Sequence, residues 1–172
     1  MTKETAGIGD DTQILAGLTL RPEREDDLEF LYNLYASTRA DEMALTDWAD
    51  AEKKAFLRMQ FDAQRAHYLA HYRTARFDVI EQAGVAIGRL YVVRWPDDIR
   101  IIDIALLPEH RRQGAGGGLL RALLDEAAAT DRSVSIHVEV FNPAMTLYQR
   151  LGFEPTGEET GVYRLMEWRA RT

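Results

Sequence analysis

Between Phe77 and Leu107 the chain carries three strand-like runs, FDVIE, VAIGRLYVVRW and RIIDIALL, separated only by Gln82-Ala83-Gly84 and by Pro96-Asp97-Asp98. Turns this short join neighbouring antiparallel strands, because a parallel connection needs a crossover of a dozen or more residues. The centre of the molecule therefore reads as an antiparallel meander. Upstream, Leu18 to Arg21 reads as a short strand stopped by Pro22. Leu28, Leu31, Tyr32, Leu34 and Tyr35 then recur at helical spacing, with acidic residues from Glu25 onward in the first turn where the helix dipole favours them. A longer helical pattern covers about Asp50 to Tyr72, with Phe56, Met59, Ala63, Ala66 and Ala70 on one side and Asp47 as its expected cap. Downstream, Leu119 to Ala129 is helical by pattern and propensity, and Ser133 to Val140 is a strand. A short helix opens at Asn142 with Pro143 in its favoured first position and ends at Gly152, and Val162 to Trp168 is the final strand.

A length of 172 residues fits one domain of roughly 150 residues. Residues 1–16 lack periodicity and read as a flexible tail, leaving 17–172 as a single domain. The 21 basic against 28 acidic residues give a formal charge of −7, which argues against binding nucleic acid by neutralising phosphates. The N-terminal MTKETAGIGDD lacks the basic start and apolar run of a secretory signal, and no stretch approaches about 18 apolar residues. The expectation is a cytoplasmic protein without a membrane partner. There is no cysteine, so disulfides, thiolate metal sites and a cysteinyl intermediate are excluded.

The chemistry concentrates in Arg111-Arg112-Gln113-Gly114-Ala115-Gly116-Gly117-Gly118-Leu119-Leu120, between a strand and a helix. A helix N-terminus leaves its first amides unpaired and partly positive, and glycine lets an anion approach that backbone closely. Glycines 116 to 118 each cost up to about 1 kcal/mol of helix propensity relative to alanine, which points to contact with a ligand such as a pyrophosphate. A P-loop would need Gly-Lys followed by Ser or Thr, and the only lysines are Lys3, Lys53 and Lys54. A dinucleotide fingerprint would need glycine where Leu119 stands.

The stretch resembles the acyl-CoA signature of the GNAT acyltransferase superfamily: Arg or Gln, two residues, Gly, one residue, then Gly or Ala. Arg111, Gly114 and Gly116 match it. RIIDIALLPEHRRQG is similar to the family's fourth strand and pyrophosphate loop, and HVEVFNPAMTLYQRLGFEPTG to its fifth strand, following helix and sixth strand. The likeness is close over about residues 77–168 and only architectural over 18–72. Ala115 departs from it, since the family commonly carries a larger aliphatic residue there, and the triple glycine suggests a looser helix start.

The resemblance implies an α+β fold: a mixed, mostly antiparallel sheet of about six to seven strands flanked by helices, with the fourth and fifth strands splayed. It implies direct transfer of an acetyl group from acetyl-CoA to a primary amine of a small molecule or peptide, in a ternary complex. The alternatives are a non-catalytic acyl-CoA-binding module and a protein N-acyltransferase; a homodimer is left open. For the cofactor it implies backbone contacts from Arg112, Gln113, Gly114, Ala115, Gly116 and Gly117, charge from Arg111, strand-edge contacts at Leu106 and Leu107, and a contact from Asn142 near the thioester. Asn142 can serve as a helix cap at the same time.

An alkylammonium with a reference pKa of about 10.4 is only about one part in a few thousand neutral at pH 7, so a base is required. Asp103, an acid inside an apolar strand, is the first candidate, with Glu139 and Glu42 in reserve; the other reading pairs Asp103 with an arginine or with solvent. Tyr148 stands where the family places the group that serves the departing thiolate, and its other reading is a ring packed on Phe153. His67 and His71 lie four apart without the glutamate of a zinc-protease helix, so no metal is expected. Tyr35, Arg39, Trp48, Met59, Gln60, Gln64 and Tyr68 fall in the region that shapes the family's acceptor pocket.

Overall fold

The computed structural model describes residues 11–172. The chain runs β1 (Gln13–Leu15), β2 (Leu18–Pro22), a 3-10 turn (Glu25–Asp27), α1 (Leu28–Thr38), α2 (Ala40–Ala44), α3 (Asp50–His71), β3 (Arg76–Gln82), β4 (Val85–Arg94) and β5 (Asp98–Leu106). After a second 3-10 turn (Pro108–His110) come α4 (Ala115–Ala129), β6 (Ser133–Glu139), α5 (Met145–Leu151), β7 (Glu154–Thr160) and β8 (Tyr163–Trp168). The strands form one sheet in the order β1-β2-β3-β4-β5-β6-β8-β7, and β5–β6 is its parallel pair among antiparallel neighbours.

This is the expected α+β architecture, with eight strands where six to seven were expected. The extra strand corrects the tail assignment, because Gln13–Leu15 pairs with Leu18–Leu20 through a turn at Ala16 and Gly17. Residues 1–10 of that expected tail lie outside the described residues. Three residues are too few for the sequence alternation that identifies a strand.

Each face of the sheet buries a separate apolar layer. Ile87, Leu90, Val92, Ile99, Ile101 and Ile136 pack against the Leu119, Leu120, Leu123, Leu124 and Ala127 stripe of α4. At about 1.5–3 kcal/mol per buried side chain, that stripe outweighs the roughly 3 kcal/mol of propensity lost at three glycines, so α4 begins at Ala115 and not at Leu119. The opposite face carries Val79 under Leu31, Tyr32 and Tyr35 of α1 and Leu57 and Phe61 of α3.

The expected face of α3 is corrected. Ala63, Ala66 and Ala70 are exposed and Met59 is 58% exposed, while Leu57 and Phe61 are buried. The helix cap is Ala49, not Asp47. No described helix is long and apolar enough to cross a membrane.

A bulge sets up the site. Tyr91 pairs with Asp103 and Val92 with Ile101, so Ile102 is an extra residue in β5. Bulges bend and twist the strand that carries them. Pairing of β5 with β6 ends there, at Ile101 opposite Ile136, leaving Ile102 to Leu106 beyond the last pair. Strands four and five of the expectation are thus β5 and β6, and they splay. Across the sheet, a Cβ on Gly88 would sit 2.3 Å from the Ala105 carbonyl oxygen, so glycine is what lets β4 support the diverging strand this closely.

Candidate active site

The end of β5 leads directly into the basic glycine-rich turn. Arg112 (φ 60°) and Gly114 (φ 89°) both adopt left-handed backbone, folding the chain into a tight concave turn ahead of α4. The first helical bond runs from the Gly118 amide to the Gly114 carbonyl at 2.9 Å, which leaves the amides of Ala115, Gly116 and Gly117 ahead of it. No side chain caps this helix start. A Cβ at Gly116 would meet only Leu106 Cδ1, at 3.8 Å, so the space above that backbone is open. The glycines differ: a Cβ at Gly118 would press to 3.3 Å on Ala16, making this a packing requirement of the β1–β2 turn. Arg111 folds back, donating from Nε to the Leu106 carbonyl at 2.9 Å and from Nη2 to Ser37 Oγ at 3.3 Å. Gln113 donates to the Glu109 carbonyl at 2.8 Å, bracing the turn from outside.

Asp103 follows the bulge and faces α3. Its Oδ2 accepts from Arg89 Nη2 at 2.7 Å and from the Tyr68 hydroxyl at 3.0 Å, while Oδ1 has no partner among the described residues. Burial first, and the Asp103 charge second, push the Tyr68 phenol up, so it stays protonated and donates. The arginine partner weighed for Asp103 is therefore real, and it is Arg89. Arg89 also donates to Gln64 Oε1 at 2.9 Å.

Tyr148 is buried against Phe153, with ring centroids 5.7 Å apart and edge to face. Its hydroxyl has no hydrogen-bond partner among the described residues. Burial first, and the charge of Asp103 second, push this phenol up to about 12. Asn142 is exposed, and its Oδ1 accepts from the Ala144 amide at 2.9 Å, capping the turn ahead of α5, which starts three residues later than expected.

A second space, a cleft of about 400 Å³, opens between α1–α3 and the ends of β6 and β8. Both reserve acids lie here. Arg39 Nη1 is 3.1 Å from Glu42 Oε1 and 3.1 Å from Glu139 Oε1, and Tyr163 donates to the same Glu139 oxygen at 3.3 Å. Met43, Phe56, Phe141 and Val162 supply apolar lining, with Phe141 87% exposed. Of the expected acceptor set, Tyr35, Arg39 and Gln60 line this cleft, while Gln64 and Tyr68 serve Arg89 and Asp103 instead. Trp48 packs edge-on against Phe56. His67 and His71 stack on each other, with rings 4.0 Å apart, and no cluster of three or more metal-ligating side chains occurs among the described residues.

Sequence reasoning missed Arg89, Phe141, Val162 and Tyr163. Arg89 had a signal, being the lone charge inside the otherwise apolar VAIGRLYVV, as Asp103 is inside IIDIALL. The other three sit in loops or at a hairpin end, where no periodicity exists.

The model of the acetyltransferase (GNAT) family matches residues 28–153. A protein of Bacillus subtilis (strain 168), provisionally named a ribosomal protein bS18 alanine N-acetyltransferase, is 30% identical over 146 residues, covering 84% of this chain and 85% of its own. Among solved structures, the PaiA N-acetyltransferase of Thermoplasma acidophilum in complex with coenzyme A aligns with a TM-score of 0.64 at 15% identity, over 89% of this chain and 99% of its own. A Salmonella typhimurium acetyltransferase that modifies the N-terminal serine of a 50S ribosomal subunit protein aligns at 0.59 with 19% identity, over 90% and 95%.

Proposed function

The chain belongs to the GNAT acetyltransferase family, and from that premise we propose that it transfers the acetyl group of acetyl-CoA to the α-amine at a polypeptide N-terminus, by direct attack in a ternary complex. The observation that carries this reading is the Asp103 carboxylate, held on Oδ2 by Arg89 and Tyr68 with Oδ1 free of partners among the described residues, just past the point where β5 leaves β6.

The donor fits what is there. The uncapped start of α4, with Gly114 in left-handed backbone and open space over Gly116, suits a pyrophosphate on the amides of Arg112 to Gly117, with the Arg111 guanidinium beside it. The Ile102 to Leu106 edge left beyond the last β5–β6 pair suits the pantetheine amides once Arg111 releases the Leu106 carbonyl, whereas the Leu107 amide already donates to the Ile87 carbonyl at 2.8 Å; for Asn142 the family resemblance suggests a place near the thioester. When bound, acetyl-CoA supplies an electrophilic carbonyl and a sulfur leaving group.

An N-terminal ammonium loses two protons on acylation. One passes to Asp103 Oδ1, and the other ends on the CoA sulfur as the carbon–nitrogen bond forms and the carbon–sulfur bond breaks. With the Tyr148 phenol near 12 and a thiol reference of about 8.5, full proton transfer to a thiolate is uphill, so Tyr148 serves it as a hydrogen-bond donor. Once Asp103 carries the amine's proton, its charge no longer adds to the burial that raises the Tyr148 phenol. The chain has no cysteine to carry the acetyl group, which supports direct transfer.

Two considerations favour an α-amine acceptor. Asp103 Oδ1 is the one carboxylate oxygen left to take a proton, and an α-amine, with a reference pKa of about 7.7–8.0, needs far less help from a base than a lysine at about 10.4. The cleft, open and edged by Phe141 and Val162, suits a chain that continues past the amine, and the Bacillus subtilis relative is named for alanine in a ribosomal protein.

The test is thiol release from acetyl-CoA with three acceptors: a peptide with a free N-terminus, the same peptide N-terminally blocked but carrying lysine, and small diamines. Turnover with the first alone is expected. Turnover with the diamines alone would overturn the acceptor, and tight CoA binding without any turnover would favour the non-catalytic module.

A further inference from the structure

We propose that Arg89 is a positioning residue, which fixes the Asp103 carboxylate so that Oδ1 faces the acceptor amine. This inference rests on Asp103 being the base proposed above. Arg89 projects from β4 into the layer beneath α3 and is 4% exposed. One nitrogen, Nη2, holds both Asp103 Oδ2 at 2.7 Å and Gln64 Oε1 at 2.9 Å, and the guanidinium carbon lies 5.1 Å from the centre of the Tyr91 ring.

The fold does not need this charge. A buried ion pair recovers little over apolar residues of similar volume, because both ions give up water. Arg89 is a poor structural choice on a second count, since its Nε is buried without a partner. The adjoining void, about 10 Å³ between Phe61, Phe77 and Tyr91, is at the limit of a single water and too small for a ligand. What the arginine does accomplish is geometric. With Tyr68 it takes both approaches to Oδ2, so the carboxylate has one orientation and one free oxygen.

The groups in contact with Asp103 are Arg89 from β4 and Tyr68 from α3, and its charge also acts on the phenols of Tyr91 from β4 and Tyr148 from α5. Arg89 is the cation among them, so its removal changes the proton affinity at this position in one direction. With Arg89→Met, we expect the acid limb of kcat/KM to move to higher pH by about one unit or more, with acetyl-CoA affinity unchanged. Arg89→Lys keeps the charge and should return the limb towards its original place.

The experiment is the pH profile of peptide acetylation by the parent, Arg89→Met, Arg89→Lys and Asp103→Asn proteins, with CoA affinity measured in each as the check on folding. An unmoved acid limb in a CoA-binding Arg89→Met protein would make Arg89 merely structural and overturn the inference. Full activity in Asp103→Asn would instead bring down the base assignment itself, a distinguishable failure. Should Arg89→Met not fold, Gln64→Leu releases the arginine on its far side without removing charge. There kcat should fall several-fold at constant KM for acetyl-CoA, and an unchanged kcat would overturn the inference.

Discussion

The two halves of the site are built from different materials. On the donor side, from β5 through α4, recognition is proposed to fall to backbone: amides at a helix start, a strand edge exposed by a bulge, and glycines that leave room. On the acceptor side, between α1–α3 and the ends of β6 and β8, it falls to side chains: Arg39 between Glu42 and Glu139, Tyr163 on Glu139, Phe141 and Val162 at the edge. A backbone site depends on local conformation and so on short spacings in the chain. A side-chain site assembles groups from residue 35 to residue 163 and depends on how helices pack. The difference teaches why one half is readable as a motif and why the other is free to differ between relatives.

The largest expected effect lies at the residue proposed to serve the departing thiolate. Tyr148→Phe keeps the ring against Phe153 but removes the hydroxyl, and kcat should fall by about 10² to 10⁴ while CoA affinity and Tm barely move. Equal loss of stability and activity would make Tyr148 a packing residue. Next is the backbone half. Gly116→Val fits the fold, since its Cβ meets only Leu106 Cδ1 at 3.8 Å, yet it blocks the approach to the amides. Losing two charge-assisted hydrogen bonds of about 1.5–3 kcal/mol each should weaken CoA binding by at least a hundredfold in titration calorimetry. Unchanged affinity in the folded variant would mean that the turn is structural only.

The sequence carried most of the donor half and little of the acceptor half, for physical reasons visible in single residues. Gly152 marks a helix end in the sequence, and it adopts the left-handed backbone that ends α5. The meander followed from turns too short for anything else. The face of α3 was misread because its inward row continues from Leu57 and Phe61 into Gln64 and Tyr68, polar residues sent to Arg89 and Asp103. Alanines on the other side mimic an apolar stripe through their helix propensity alone. The Ile102 bulge was invisible, since an extra strand residue leaves no mark on composition.

On the acceptor half, Arg39→Gln should raise KM for a peptide about five- to tenfold while leaving KM for acetyl-CoA alone; equal changes in both would erase the division. The smallest effect on chemistry is expected at Asp27, which accepts from Arg21 at 2.7 and 2.8 Å and from the Arg24 amide at 2.7 Å, tying the start of α1 to β2. The Arg21 hydrogen bond, opposed in part by burial, holds this carboxyl below its usual range. Its stabilisation is therefore present above the unfolded value of about 3.9 and lost as pH falls through the folded one. Asp27→Asn should cost about 3 kcal/mol near neutral pH with kcat unchanged, and the Tm gap should close below about pH 4. A gap that persists in acid would assign the loss to packing.

The most direct test of the division is amide hydrogen exchange read residue by residue, with and without saturating CoA. Protection should rise at Arg112 to Gly117 and along Ile102 to Leu107, with no change in the cleft segments of α1, α2 and α3. Protection confined to the cleft, or none at the start of α4, would contradict the account.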